Sequence, residues 1–575
     1  MESHEDAVER LIGDYVDRKI DRRQFFKRGA ALGLSFGAIG SLLAARGGGA
    51  EAAPPPPAES AARTPAAGGK PTVGGILREG YDRDVSRLDP VNTTWWDASL
   101  FPCVHETVVT QDVDGKFVPM LAESWKESKG GKEITFKIRK GLKFQGGAPC
   151  NAAAVAAALN VVRKNGINAG FWTPVKAVKA GAGNTVKITM AHPYADIYYV
   201  LNSGYSAIFN KPTRDKLGDK YGVTSCDGTG PFKLTELVPG SHCSVARWSG
   251  YPGPAADFFQ NAGKAYLDGV RWEVLLEPAT RAQELEAGNV DALHGPAPQD
   301  VDRLKKNDDF AVVEFQEWSL YQLGLNYQHT ELGFDNVKVR QAFMHAIDRQ
   351  SIVDSIFFGK ASPSYTIVPS AFPYYDKAVE KYGTFDVAKA KSLLDDAGWK
   401  AGPGGTRQKN GKKLAFEAIT EAYDKTEGLI AQAVQDMLKD VGIDMKLKAV
   451  NDFYTDKGFL AKGGPVAYMV KNVWPYMFDA SLLFSDSAYV LPACCNASFT
   501  KLPELDAAYK DWQSAADEAG LKAAARKALK IAAQQVAFVP IVTPLNVWVH
   551  HKKVHGWVPN QPNLYPFYND VWIEA

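Results

Sequence analysis

The sequence carries almost no net charge. Its 575 residues include 66 Lys and Arg against 65 Asp and Glu. Without a positive excess, the protein has no long-range field that would attract nucleic acid or an anionic membrane surface. The charge balance therefore argues against a nucleic-acid-binding protein.

Cysteine is scarce, and no CxxC pair occurs among the six cysteines. This excludes a zinc array and a disulfide-built scaffold. Cys226 and Cys243 flank a predicted hairpin. In an oxidising compartment they could form a disulfide with each other, and two reduced or differently paired thiols are the alternative. The adjacent cysteines 494 and 495 rarely bond each other without backbone strain. The candidate partners for one of these two are Cys103 and Cys150.

The common catalytic signatures are also absent. No G-x-S-x-G elbow, H-E-x-x-H pair or G-x-x-x-x-G-K-[ST] loop occurs, and the scattered acidic residues do not form a carboxylate pair. His550, His551 and His555 lie beside two lysines and are predicted to be a solvated surface run. We therefore predict no enzymatic activity, no catalytic residue, no cofactor and no metal site, and a secreted hydrolase remains an alternative.

The apolar run near the N-terminus is a poor permanent membrane span, and a membrane anchor that follows a chance arginine pair is the alternative to export. The apolar segment from Gly29 to Ala45 is short and rich in glycine. Arg22 and Arg23 precede it, which is typical of twin-arginine export of a folded protein. We predict a signal peptide over 1–52, ending in the A-x-A sequence 50–52 (a cut near Ala45 is the alternative), and a flexible Pro/Ala-rich leader over 53–73.

Aromatic residues are abundant, with 13 Trp, 23 Tyr and 28 Phe. Such residues fill cores, and a surplus also suits an apolar ligand pocket. Trp95 and Trp96 are adjacent in a turn-like segment after Thr94. On a strand, two adjacent indoles would face opposite sides, so at least one is hard to bury. Edge packing and a pocket wall both remain open, and we take these three residues as candidate ligand contacts.

The remaining chain has the pattern of an α/β protein. Ile134, Phe136 and Ile138 alternate with polar residues, which predicts a strand with one wet face. Asn151 is placed to cap the alanine-rich helix that follows. Helical periodicity over 336–349, 387–397 and 429–438 alternates with strands such as 443–450. The length exceeds a single core, so two or more lobes are expected.

Several ordered segments resemble the extracytoplasmic solute-binding proteins of ABC importers, family 5, the dipeptide, oligopeptide and nickel group. The resemblance runs from about residue 74 to the C-terminus. The family pattern contains LDP, a P-x-LAESW block, a GTGPF sequence and two alanine-rich helical blocks. The matching segments here are Leu88–Pro90, Val104–Val108, Pro119–Trp125, Thr135–Pro149, Gly228–Phe232, Val339–Arg349, Asp386–Trp399 and Gly442–Asp444.

The resemblance implies an α/β fold, the two-lobed periplasmic-binding-protein clamshell of type II with an extra subdomain in lobe I. Lobe I is expected to comprise 74–318 and 541–575, and lobe II 319–540. Such a protein has open and closed states, and a ligand that contacts both lobes favours the closed one. No covalent bond changes in the binder.

The resemblance also places ligand contacts in the middle of the chain. In peptide-binding relatives, a W-x-x-D segment offers an acidic residue to the peptide amino group. Here the segment begins at Trp474, and the expected position holds Met477, or Tyr476 if one residue is missing. The carboxylate is therefore absent unless Asp479 has shifted into its place, and an amine would lose a charge-assisted partner. Helix capping is the alternative role of Asp479.

The function that follows is a periplasmic, monomeric substrate-binding component of an ABC transporter. It is expected to hold a small organic solute, a peptide or peptide-like molecule, in the interlobar cleft and to deliver it to a permease in the inner membrane. Its partners would be that permease and the small-molecule ligand, with no nucleic acid. A nickel-chelate or haem carrier of the same family is the alternative.

Overall fold

The computed structural model describes residues 10, 14 and 69–574, except 93–99, 113–114, 129, 167–168, 195, 373, 452, 454, 456, 474–483, 492–495, 516–517 and 558–566. The chain divides into two compact units. The terminal unit comprises Ala58–Phe315, Gln513–Asp517 and Asn546–Ala575, and the middle unit comprises Met1–Pro57, Gln316–Trp512 and Glu518–Leu545. The lobe boundaries expected from the sequence, at 318–319 and 540–541, stay a prediction.

The terminal unit begins with strands and helices in mixed order. Its strands are β1 (Ile76–Tyr81), β2 (Val109–Gln111), β3 (Phe117–Pro119), β4 (Ala122–Glu127), β5 (Glu133–Ile138), β6 (Val175–Gly181), β7 (Thr185–Met190), β8 (Phe232–Val238), β9 (His242–Arg247), β10 (Gly269–Val274), β11 (Ala292–His294) and β12 (Phe310–Gln316). Its helices are α1 (Phe101–Val104), α2 (Ala152–Asn165), α3 (Ile197–Asn202), α4 (Lys211–Leu217), α5 (Pro278–Glu286) and α6 (Val301–Lys305).

The middle unit has strands β13 (Ser319–Leu325), β14 (Ala361–Pro363), β15 (Lys400–Ala401), β16 (Arg407–Lys409), β17 (Lys412–Lys413), β18 (Ala415–Glu421), β19 (Asp444–Val450) and β20 (Ala467–Val473). Its helices are α7 (Val337–Ala346), α8 (Arg349–Ser355), α9 (Val387–Asp396), α10 (Lys425–Asp440), α11 (Pro503–Ser514) and α12 (Glu518–Gln535). The long strand β21 (Val539–His551) follows, and β22 (Val554–His555) and β23 (Trp572–Ile573) return to the terminal unit.

Two sheets give the terminal unit its architecture. In the first, the order is β11-β1-β10-β9-β8, with β1 parallel to both β10 and β11 and the other pairs antiparallel. The second is antiparallel in the order β4-β5-β7-β6. Helix α2 contributes Val155, Leu159 and Val162 to an apolar core with strand residues such as Phe136 and Ile188. This second sheet therefore has a core of its own within the unit.

The middle unit is built on a mixed sheet in the order β19-β18-β20-β13-β21, where β21 belongs to this unit up to Leu545. Strand β18 runs parallel to β19 and to β20, and β13 is antiparallel to β20 and to β21. Residues of α7, α9 and α10 cover one face and share a core with Leu323, Leu325 and Met469. Parallel pairs joined through α10 are typical of an α/β sheet.

Most helices and strands predicted from the sequence are observed, with small shifts of their ends. Asn151 caps α2, because its side-chain oxygen accepts from the amide of Ala154 at 3.1 Å. The predicted helix over 336–349 instead ends at Ala346, and a second helix starts after Asp348. The alternation of Val186, Ile188 and Met190 coincides with β7, which a short turn joins to the end of β6.

The disulfide between Cys226 and Cys243 is not formed. Cys226 is a free thiol, and its sulfur contacts the carbonyl oxygen of Leu88 at 3.6 Å. Cys103 and Cys150 are also free thiols, so neither is bonded to one of the cysteines at 494 and 495, which lie outside the described residues. Burial raises the pKa of the Cys226 and Cys103 thiols, so they remain protonated at neutral pH.

Candidate functional site

The ligand contacts predicted from the sequence lie in two stretches whose structure is not described, 93–99 and 474–483. They therefore remain predictions. The residues concerned are Thr94, Trp95, Trp96, Trp474, Tyr476, Met477 and Asp479.

The carboxyl end of β18 leads into the N-terminus of α10. Asp424 is the N-cap of this helix, and its side chain accepts from the amide of Glu427 at 2.9 Å. Glu427 is fully buried and accepts from the amide of Glu421, the last residue of β18, at 2.8 Å. Between them, Tyr423 leaves 61% of its surface exposed. In open α/β sheets, ligands bind outside the carboxyl ends of the strands, so this turn is a candidate binding edge.

The buried carboxyl group of Glu427 is protonated at neutral pH. Burial, with the neighbouring charge of Glu421 as the second cause, raises the pKa of Glu427 to about 9. One of its oxygens, Oε2, has no hydrogen-bond partner among the residues that the structure describes. Burying an unpaired carboxylate would cost far more free energy than burying the neutral carboxyl group.

Tyr321 and Lys471 lie opposite each other on β13 and β20. The Tyr321 hydroxyl donates to Oδ2 of Asp424 at 3.2 Å, and Lys471 pairs with Glu317 at 3.0 Å. The Lys471 ammonium also lies 5.7 Å from the centre of the Tyr321 ring. Sequence reasoning missed this polar group, because strand pairing brings its members together from segments that are distant in the chain.

The acidic residues of the resembling segments in the terminal unit have structural partners. Asp89 of the LDP sequence is buried and receives two hydrogen bonds from Arg214, each at 2.9 Å. Glu106 is buried and accepts from the Tyr251 hydroxyl at 2.7 Å. Burial raises the pKa of Glu106 to about 7. These contacts join residues far apart in the chain and hold the fold of the terminal unit.

The histidines also have structural partners. His105 is buried between the carbonyl oxygens of Ile208 and Leu88, at 3.3 and 3.2 Å, and burial lowers its pKa to about 4. The prediction of a solvated run at 550–555 is wrong for the histidines, which are half-buried. The ring of His555 stacks on Trp572 with centroids 4.1 Å apart, and His551 contacts a backbone carbonyl oxygen at 3.1 Å. The antiparallel pairing of β22 with β23 places His555 opposite Trp572.

The described part of the chain holds neither a metal-binding cluster nor a helix suited to span a membrane. No group of three or more His, Cys, Asp or Glu side chains is arranged there to hold a metal ion. No helix in the same residues has the length and apolar character that crossing a membrane requires.

The chain belongs to the bacterial extracellular solute-binding proteins, family 5, whose family model matches residues 116–487. The resemblance stated from the sequence is thereby confirmed. Proteins of this family are binding components of transport systems and not enzymes, so the protein is a non-enzymatic binding protein.

Two relatives illustrate the range of the family. The nickel-binding periplasmic protein of Escherichia coli is 28% identical over 353 residues, which cover 60% of this chain and 65% of the relative. The glutathione-binding protein GsiB of Escherichia coli is 27% identical over 467 residues, which cover 78% of this chain and 85% of the relative. The chain thus spans just under two thirds of the first protein and most of the second.

A solved structure shares the fold. The oligopeptide-binding protein AppA from Bacillus subtilis, in complex with a nonapeptide, is 23% identical and superimposes with a TM-score of 0.75. The match covers 88% of this chain and 100% of that structure. The predicted fold class, the α/β fold of family 5 periplasmic binding proteins, is confirmed.

Proposed function

We propose that the protein is the substrate-binding component of an ABC importer and that its solute is a peptide or a peptide-like molecule. Membership of family 5 carries the first part of the proposal. The second part is supported by two similar proteins, one named for glutathione, which is itself a tripeptide, and one solved with a nonapeptide.

The proposed place of action is the periplasm. Both relatives described above are binding proteins of this kind, and one is named periplasmic. The twin-arginine sequence at Arg22 and Arg23 would deliver the folded protein there. The monomeric protein would then hold its solute in the cleft that the family resemblance predicts between two lobes, and present it to a permease of the inner membrane.

The residues proposed to contact the solute lie in two segments rich in aromatic residues. They are Thr94, Trp95 and Trp96 in the first segment, and Trp474, Tyr476, Met477 and Asp479 in the second. Trp474 and Tyr476 follow β20, whose carboxyl end lies on the candidate binding edge. The acidic position of the W-x-x-D pattern holds Met477, or Tyr476 if one residue is missing, so the solute amine would lack that charged partner unless Asp479 takes its place. Aromatic stacking from Trp95, Trp96 and Trp474 would supply contact area in its place.

Binding measurements on the exported protein test the proposal. Glutathione, tri-alanine and a mixture of tripeptides are titrated calorimetrically, and saturable binding of at least one is expected. Trp474→Ala and Trp95→Ala should each weaken that binding by about 1–3 kcal/mol if the indoles stack on the solute. Trp125→Phe, in a half-buried ring that packs on Phe136, is the control and should leave affinity unchanged.

A nickel chelate is the second candidate, favoured by the similarity to the nickel-binding protein. Nickel with two equivalents of histidine is therefore titrated in parallel. Saturable binding of this complex, with none of any peptide, would replace the peptide proposal by the nickel one. Absence of binding to every probe would contradict both.

A further inference from the structure

Two neighbouring strands of the middle unit carry buried amide side chains with nothing to bind. Gln322 on β13 is fully buried, and Asn472 on β20 is 1% exposed. Within the part of the chain that the structure describes, neither the nitrogen nor the oxygen of either side chain has a hydrogen-bond partner. A buried polar group without a partner costs about 1–3 kcal/mol, and native proteins leave few of them. Two complete amides in one place therefore call for a partner that the described residues do not supply.

The strand register places both amides on the same face of the sheet. Gln322 lies opposite Val470, and Asn472 lies opposite Leu320. Opposed residues share a face, and so do residues two apart on a strand. Gln322 and Asn472 are thus diagonal neighbours, a relation that places side chains about 7–8 Å apart. One small group can contact both.

The opposite face of the same strands is fully occupied. Leu323 and Met469 belong to the apolar core beneath α7 and α10, and Tyr321 lies at its edge. Lys471 on this face has its ion pair with Glu317. The two amides point away from this core, so they are neither part of its packing nor partners of its charged residues.

The amides also lie at the end of the sheet where ligands are expected. Asn472 is the next-to-last residue of β20, whose neighbour β18 runs parallel to it and ends at Glu421. Ligands in α/β folds bind at the carboxyl ends of parallel strands. Trp474, a predicted ligand contact, follows Asn472 by two positions in the sequence.

The hydrogen-bonding groups of Gln322 and Asn472 indicate which chemical group of a ligand they would bind. Each side chain offers an NH₂ donor and a carbonyl acceptor, and neither carries a charge. A peptide or carboxamide group presents an N–H donor and a C=O acceptor together, whereas a carboxylate only accepts and an ammonium only donates. We infer that Gln322 and Asn472 bind an amide group of the solute. This inference deepens the proposed function and rests on it.

The test replaces each amide by an apolar side chain of similar size. Gln322→Leu and Asn472→Leu are titrated with glutathione and tri-alanine, and urea unfolding is measured without ligand. At least a tenfold loss of affinity is expected in each variant, with unchanged or increased stability, because an unpartnered buried amide is removed. Ser319→Ala is the matched control. Ser319 is buried on β13 with an unpartnered hydroxyl on the opposite face, and its replacement should leave affinity unchanged.

A crystal structure of the wild-type protein with the bound probe is the independent measurement. Both amides are expected within hydrogen-bond distance of the probe. Buried waters on the amides in place of the probe, or affinities within twofold of the wild type in both Leu variants, would overturn the inference and leave the proposed function standing. If the wild type binds neither glutathione, tri-alanine nor any tripeptide of the mixture, the peptide proposal itself fails, and the inference fails with it.

Discussion

Several glutamate side chains in this protein are buried, and their carboxyl groups are uncharged at neutral pH. Glu427 and Glu79 are both fully buried, and burial raises their pKa values to about 9 and about 8. Glu79 accepts from the Tyr568 hydroxyl at 2.7 Å, across almost the whole length of the chain. Such carboxyl groups are stable in the core because they hold a proton there.

Glu427 should make the protein less stable as the pH rises. The ordinary pKa of glutamate is about 4.3, so the unfolded chain loses this proton first while the folded protein keeps it. Stability from this group is therefore fully present below about pH 4.3 and is lost progressively up to about pH 9. In urea unfolding at pH 5, 7 and 8.5, Glu427→Gln should reduce the slope of stability against pH by up to about 1.4 kcal/mol per pH unit.

An exposed glutamate on the adjoining strand provides the control for that experiment. Glu417 lies on β18 with its side chain in solvent, in an ion pair with Lys448 at 3.3 Å. Glu417→Gln should leave the slope as it is in the wild type. An equal change of slope in both variants would mean that Glu427 is not the group that titrates.

Elements in this fold meet at places where only a glycine fits. Gly228, which opens the GTGPF sequence, lies against the end of α1. A Cβ atom added there would be 2.0 Å from the carbonyl oxygen of Val104, and backbone cannot move aside as a flexible side chain can. The glycine is thus required by a contact between two elements and not by a turn.

Gly228→Ala should destabilise the terminal unit by about 1–3 kcal/mol, the usual cost of forcing an extra methyl group into a packed region. Urea unfolding followed by tryptophan fluorescence measures the change. Gly170→Ala is the control, because a Cβ atom at this position meets nothing within 4 Å. A loss as large at Gly170 as at Gly228 would show that backbone entropy, and not the close approach, is responsible.

The end of helix α7 shows the same effect of distant contacts on an element. Helical periodicity continues through 336–349, yet the backbone becomes extended at Ile347. Arg349 is buried and donates to four backbone carbonyl groups, those of Met344, Ile347, Gly383 and Pro540. The break allows this guanidinium group to satisfy carbonyl oxygens from separate segments.

At the scale of the whole molecule, the twin-arginine sequence is predicted to determine where the protein acts. Arg22→Lys together with Arg23→Lys should abolish export, because the twin pair itself is the signal for that route. Cell fractionation of the native host with immunodetection would then show the protein retained in the cytoplasm. Arg18→Lys, outside the pair, is the control. Undiminished periplasmic protein in the double variant would point to another export route.

The sequence by itself determined the family, the α/β class and most of the helices and strands. These follow from short-range patterns: the alternation of Ile134 and Phe136 with polar residues, the cap at Asn151, and short family motifs that occur in the sequence in the family's order. Local chemistry of this kind is visible in any window of the chain, because the periods of strands and helices are set by the backbone.

Only the tertiary structure decided the roles of the buried polar residues. It placed Arg214 on Asp89, kept Cys226 as a free thiol and stacked His555 on Trp572. It also left Gln322 and Asn472 as diagonal neighbours with no hydrogen-bond partner in the described residues. The physical reason is that each of these outcomes depends on residues distant in the sequence. Whether a polar side chain is paired, charged or free for a ligand depends on those neighbours, and a strand pattern specifies only which face it points to.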